Sequence, residues 1–167
     1  MSSLKILEYP HKSLRTATEP VIVFDENLKH QIKEMFALMY QEDGVGLAAT
    51  QVGLPLRLFV SDCSRDQSQP ICFINPEIIR QEGIADSDEG CLSFPGVYAK
   101  IPRAPVITVR YQNENGESVT LEAQGLLAFC IQHELEHLDG KVFIDNLSKL
   151  KRDRLLKKLH KTQRLAG

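Results

Sequence analysis

Long apolar runs are missing from this sequence. The longest, Leu126 to Ile131, falls far short of the ~18 to 20 residues needed to cross a bilayer, so no transmembrane helix is expected. The start, MSSLKILEYPHKSL, lacks an apolar segment ahead of a small-residue cleavage site, so no secretory signal is expected and a cytoplasmic protein is. Cysteines are few and widely spaced: Cys63, Cys72, Cys91 and Cys130 argue against a disulfide framework and for free thiols, one of them a candidate metal ligand. Repeats, low-complexity tracts and linker-like stretches are also absent. One domain over residues 1–167, monomeric, is expected, with 43% hydrophobic residues to build its core. A strong net charge is lacking too, but the value of −2 hides an asymmetry. Residues 149–164 hold eight Lys or Arg and one Asp, leaving 12 basic against 21 acidic side chains elsewhere.

What is present reads as mixed structure. Leu28, Ile32, Met35, Phe36 and Met39 fall at helical spacing behind Asp25, a capping residue, and Asp43-Gly44 offers a stop at which glycine relieves the backbone. RLFVSD (57–62), ICFIN (71–75) and PEIIRQ (76–81) are β-branched or aromatic and bounded by turn residues, which predicts strands. VITVRY (106–111) and SVTLEA (118–123) flank Asn113-Glu114-Asn115-Gly116, a hairpin signal. From Leu126 the pattern turns helical until Asp139-Gly140, and a last helix over about 148–164 aligns Leu150, Leu155, Leu156 and Leu159. The expected class is α+β, with antiparallel β-sheets packed around a central helix and a basic C-terminal helix.

That central helix contains IQHELEHLDG, residues 131–140. His133 and His137, one turn apart on one face, can share a metal ion. Glu134 points about 100° round from His133, where it can act on a water as general base without being a ligand. Two histidines on a core helix need partners, and a metal supplies one to each. A third ligand is required. Cys130 shares the face of His133 but is seven residues, ~10.5 Å of rise, from His137. His11, His30 and His160 read better as solvated or core side chains. Cys91, in EGCLS (89–93), lies in a polar stretch beside Gly90, which lets the backbone approach another group; an inert buried thiol is the competing reading. A Cys/His/His set leaves the fourth position of a tetrahedral ion open, as catalytic sites do. GVGLAATQVGLP (44–55) contains G-x-G-x-x-A, but a helical pattern precedes it where a nucleotide fingerprint needs a strand. Gly44 and Gly46 can instead admit a peptide against the backbone, and Gln51 adds an amide donor; a tight turn with a solvated Gln is the plainer alternative.

GVGLAATQ (44–51), EGCLS (89–93) and QHELEH (132–137), in this order and spacing, resemble the three signature motifs of peptide deformylases, and YPHKSLR and INPEI extend the similarity through nearly the whole chain. The resemblance implies a metal-dependent amide hydrolase that removes the formyl group from the N-terminal formyl-methionine of new polypeptides, releasing formate. It implies Cys91, His133 and His137 as ligands of one Fe(II), with Zn, Ni or Co as substitutes, although donor-set rules alone favour Zn(II). It implies Glu134 as general base and acid, and Gln51 with the backbone N–H of Leu92 as stabilisers of the oxyanion. It implies Val45, Gly46, Glu89 and Gly90 along a peptide groove, Leu126, Phe129, Cys130 and His133 around the methionine side chain, and Arg103 paired with Glu89.

Two positions depart from the family pattern. Glu136 replaces the usual Asp of H-E-x-D-H, and Tyr98 stands where many bacterial members have arginine, which bears on substrate residues beyond methionine. The basic C-terminal helix has two readings, a solvated face and, by resemblance, a dock on ribosomal RNA near the exit tunnel. A metalloprotease and a non-catalytic metal or ribosome-binding module are the competing functions; cleavage of unformylated internal peptides identifies the first.

Overall fold

In the computed structural model, which describes residues 3–166, Asp25 caps the first helix as its sequence position suggests. Its carboxylate accepts from the Leu28 N–H, and α1 runs Glu26–Gln41. The stop differs in one respect. Asp43 rather than Gly44 takes the left-handed backbone, at φ +56, a conformation Asp tolerates better than most residues. Gly44 serves space instead: a Cβ there would lie 2.9 Å from the Leu92 side chain.

The described strands are β1 (Gly46–Ala48), β2 (Leu58–Ser61), β3 (Ile71–Glu82), β4 (Ala85–Gly90), β5 (Tyr98–Arg103), β6 (Val106–Gln112) and β7 (Ser118–Gln124). One sheet has the order β1-β2-β3-β6-β7 and a second pairs β4 with β5, every pairing antiparallel. The hairpin of β6 and β7 turns at Asn113, whose side chain accepts from the N–H groups of Asn115 and Glu117, with Gly116 at φ +80.

Three strand expectations need correction. Residues 71–75 and 76–81 form one strand, β3, because Asn75 bends it without ending it: at φ +52 it marks a register shift between Ile74 and Glu77. Its side chain bonds Val21 N–H and C=O at 2.8 and 2.9 Å, fixing the bend. β1 is a strand where the glycines read as peptide-admitting backbone or a tight turn, and β4 is one where the sequence reads only as a polar stretch. Both are strands because partners, not propensity, hold them: ADSDEG has no β-branched residue, yet Asp86 to Gly90 align with Pro102 to Tyr98.

Helix α2 (Leu126–Leu138) lies against the large sheet through Ala128, Ile131 and Leu138, which cluster with Phe59, Phe73, Val109 and Ala123. Gln132 ties it to the strand side, accepting from Ala104 N–H at 3.0 Å and donating to Ala104 C=O at 2.8 Å. The helix stops at Gly140, φ +74, where a Cβ would lie 2.8 Å from the Arg15 carbonyl oxygen. Helix α3 (Lys149–Ala166) packs through Leu159, buried among Leu14, Phe94, Val97 and Ile144. Leu150 leaves the expected stripe: it is 70% exposed, because the first turn of α3 extends past the core. The result is the expected mixture of helices and antiparallel sheet around α2. No helix among the described residues is long and apolar enough to cross a membrane.

Candidate metal centre and active site

Helix α2 delivers His133, Glu134 and His137 in buried positions, and the turn that follows β4 delivers Cys91 to the same place. Donor atoms of Cys91, His133 and His137 all lie within 4.8 Å of one another. Cys91 Sγ is 3.4 Å from His137 Nε2, close to the ~3.6 Å separating S and N ligands on a tetrahedral ion with bonds of ~2.3 and ~2.1 Å. A soft sulfur with two imidazoles fits a divalent transition metal, and a three-residue set leaves a coordination position for substrate or water. Two other histidines have partners elsewhere, His11 Nδ1 accepting from Ser13 N–H at 3.1 Å and His30 meeting Glu34 at 2.6 Å, and His160 is exposed on α3.

Behind His133 runs a chain of charge. Its Nδ1 is 2.8 Å from Glu89, whose carboxylate takes two hydrogen bonds of 2.8 Å from the Arg103 guanidinium. Burial would raise the Glu89 pKa, but the bonds from Arg103 and His133 outweigh it and hold the carboxyl at about 2. An ionised Glu89 fixes the His133 ring, so Nε2 faces the Cys91 side. Glu136, the departure from the usual Asp, joins this chain: it accepts from Arg103 at 2.9 Å and from Asn146 Nδ2 at 3.2 and 3.1 Å. Its carboxylate thus joins a buried cation to the turn after α2.

Glu134 behaves differently. Burial dominates its surroundings and pushes its pKa up to about 7, with His133 pulling down and Glu89 pushing up. Its Oε1 is buried with no hydrogen-bond partner, a costly state unless another group completes the site. Next to it, Gly46 has no room for a side chain: a Cβ would stand 2.6 Å from Glu134 Oε2 and 2.7 Å from Cys130 Sγ. Gln51 sits in the short 3₁₀ turn Ala49–Val52, its Oε1 accepting from Ala48 N–H at 2.9 Å. That bond orients the amide, so Nε2 donates to Ser93 Oγ at 3.1 Å and reaches Cys91 Sγ at 3.5 Å.

One cavity of about 340 Å³ is lined by Val45, Gly46, Gln51, Glu89, Gly90, Cys91, Leu92, Leu126, Phe129, Cys130, His133 and Glu134. These are the sequence-derived candidates other than His137 and Arg103, which lie behind the wall. Leu126, at 54% exposed, is lining rather than core. The group that approaches Gly90 is the Tyr98 ring, 2.7 Å from where a Cβ would be, and Tyr98 also lines the cavity. Sequence reasoning missed Ser93, Gln132 and Asn146. Each acts through a long-range partner, and a serine or amide alone carries no spacing signal.

The chain matches the polypeptide deformylase family model over residues 3–153. It is 49% identical over 166 residues to the peptide deformylase of Pseudoalteromonas translucida, covering 99% of each chain, and 48% identical over 167 residues to that of Nitrosococcus oceani, covering 100% of each. Its structure superimposes on the crystal structure of a peptide deformylase from Legionella pneumophila with a TM-score of 0.94 at 45% identity, covering 98% of this chain and 96% of that one.

Proposed function

The chain belongs to the peptide deformylase family, and from that premise we propose how its residues carry out the family's reaction. That reaction is the metal-dependent hydrolysis of the formyl amide at the N-terminus of new polypeptides. Cys91, His133 and His137 hold the ion, Fe(II) in the native protein, with Zn, Ni or Co able to replace it. When bound, the ion supplies Lewis acidity, which activates water and polarises the formyl carbonyl.

Glu134 accepts the proton of the attacking water and returns it to the departing amine, so formate and a free N-terminus result. Its carboxyl pKa of about 7 suits both halves of that transfer. Gln51 Nε2 and the Leu92 N–H receive the charge that develops on the formyl oxygen. Leu126, Phe129 and Cys130 enclose the methionine side chain, while Val45, Gly46, Glu89 and Gly90 line the peptide path. Arg103 keeps Glu89 ionised and so keeps His133 in register. The catalytic unit is one domain: the cavity draws on β1, β4 and α2, which are far apart in the chain.

The single observation that carries this reading is the buried, unpartnered Glu134 carboxylate beside three converging metal donors. Its test is release of primary amine from a formyl-Met dipeptide by protein loaded with Fe(II) without oxygen, beside Cys91→Ala. Rapid release by the parent and loss of both metal and turnover in the variant is the expected result. An iron-loaded parent that releases no amine would sink the reading.

The protein works as a cytoplasmic monomer that meets nascent chains at the ribosome. The exposed Lys157, Lys158 and Lys161 of α3 support an anionic partner such as ribosomal RNA near the exit tunnel. Reversing these three charges should leave dipeptide turnover intact and weaken ribosome co-sedimentation, the loss growing less visible as salt rises. Unchanged sedimentation would leave α3 as a solvated face.

A further inference from the structure

Two thiols outside the metal centre meet beside the cavity. Cys130 lines it from α2, buried, with its S–H 3.7 Å from the Val45 carbonyl oxygen. The Asp62 N–H bonds the same carbonyl at 2.9 Å, which brings the next residue, Cys63, alongside. Asp62 turns its side chain to Tyr40 of α1, at 2.6 Å, so Cys63, the next residue along the extended chain, faces the α2 side where Cys130 lies. Cys63 is half-buried and Cys130 is buried. Neither belongs to the converging donor set of Cys91, His133 and His137, and Cys72 lies apart in another hydrophobic cluster. A half-buried thiol beside a buried one is the arrangement of an attacking and a resolving cysteine.

We infer that Cys63 and Cys130 form a reversible oxidation site, where a hydroperoxide couples them into a disulfide that reshapes the cavity wall. In the first step the Cys63 sulfur attacks the terminal peroxide oxygen; the O–O bond breaks, giving Cys63 sulfenic acid and an alcohol. In the second, the Cys130 sulfur attacks the sulfenic sulfur, the S–S bond forms, and the hydroxyl leaves as water. Two thiols lose two electrons and two protons, and the peroxide takes up both. The contact with Cys130 holds the Cys63 pKa below the usual thiol range, which favours Cys63 as the attacking sulfur.

The wall has little slack at this point. A Cβ at Gly46 would already stand 2.7 Å from Cys130 Sγ, so drawing that sulfur to Cys63 and off Val45 changes the surface where Val45, Gly46 and Cys130 meet. Cys91, His133, His137 and Glu134 keep their positions. The consequence for substrate rests on the proposed methionine pocket; the crosslink does not.

The test uses protein loaded with redox-inert Zn(II), treated with an equimolar organic hydroperoxide, alkylated and digested. A Cys63–Cys130 linked peptide pair lighter by two hydrogens, restored by dithiothreitol, is expected. KM for a formyl-Met peptide should rise about fivefold with kcat within about twofold. Cys63→Ser should deformylate normally, form no crosslink and show no KM shift. Cys63 sulfinic acid with Cys130 still alkylatable, a crosslink through Cys91, or unmodified thiols would each overturn the inference. A clean crosslink with unchanged KM would overturn its link to the pocket, and a crosslinked protein whose untreated form never deformylates would defeat the activity reading alone.

Discussion

Helices α2 and α3 have similar backbones and opposite relations to water. Eight of the 13 residues of α2 are buried, three of them His133, Glu134 and His137, whereas Leu159 is the only buried residue described in the 18 of α3. A buried polar group must be matched or left costly, so the charges around α2 other than Glu134 are committed: Glu89 to Arg103 and His133, Glu136 to Arg103 and Asn146. The charges of α3 face solvent, and apart from the Lys149–Asp153 pair at 2.6 Å the helix spends few of them internally. Burial turns side chains into chemistry; exposure leaves them for partners.

The contrast is broken most severely at Glu134. Glu134→Gln keeps the volume but removes the base, and kcat should fall on the order of 10² to 10⁴-fold while metal content, measured by mass spectrometry, stays near one per chain. Loss of the ion instead would mean that the carboxylate supports the ligands. Next is Arg103, 6% exposed between two carboxylates. Arg103→Met should cost roughly 3–5 kcal/mol by leaving buried charge without its cation, and weaken metal retention about 10- to 100-fold in competition with a chelator. A stable variant with unaltered retention would show that Glu89 orients His133 unaided.

On α3 the same test separates one residue from the rest. Leu159→Ala should lose about 2–5 kcal/mol in urea denaturation, Leu150→Ala less than about 0.5 kcal/mol. Equal losses would mean that the first turn of α3 packs in solution.

The smallest effect concerns the turn Phe143–Asn146 between the two helices, where Asp145 accepts from Arg15 at 2.6 Å. Burial would raise its pKa, but the Arg15 hydrogen bond prevails and holds the carboxyl below its ordinary range. A carboxyl lowered in the folded state stabilises above its unfolded pKa, ~3.9, and that contribution fades as pH falls through the lower folded value. Wild type should therefore exceed Asp145→Asn in Tm at pH 7 by the equivalent of at most about 1 kcal/mol, with the gap closing below pH 4. A gap that persists at pH 2 would assign the effect to packing.

Much of this was legible before any coordinates. His133 and His137 are tied by local helix geometry, so four residues of spacing were enough to pair them. Cys91 could be proposed as third ligand but not secured by spacing, since 42 positions and three strands separate it from His133. β4 was invisible because its sequence is acidic and its reason for being extended lies in β5. Leu150 was misplaced for the converse reason: periodicity reveals which residues share a stripe, but not how far along a helix the neighbouring core extends.

The sequence by itself determined the α+β class, the helix that carries H-E-x-x-H, the residue types able to hold a metal and the family to which they belong. The family rests on the resemblance of three motifs; the rest follows from periodicity and short-range spacing, which chain geometry enforces wherever the segment sits. Only the tertiary structure decided that Glu136 reaches Arg103 and Asn146, that Glu134 is buried with an unpartnered oxygen, and that Cys63 comes to lie beside Cys130. Those facts depend on which distant segments meet and how much water is left between them, and no local pattern encodes either.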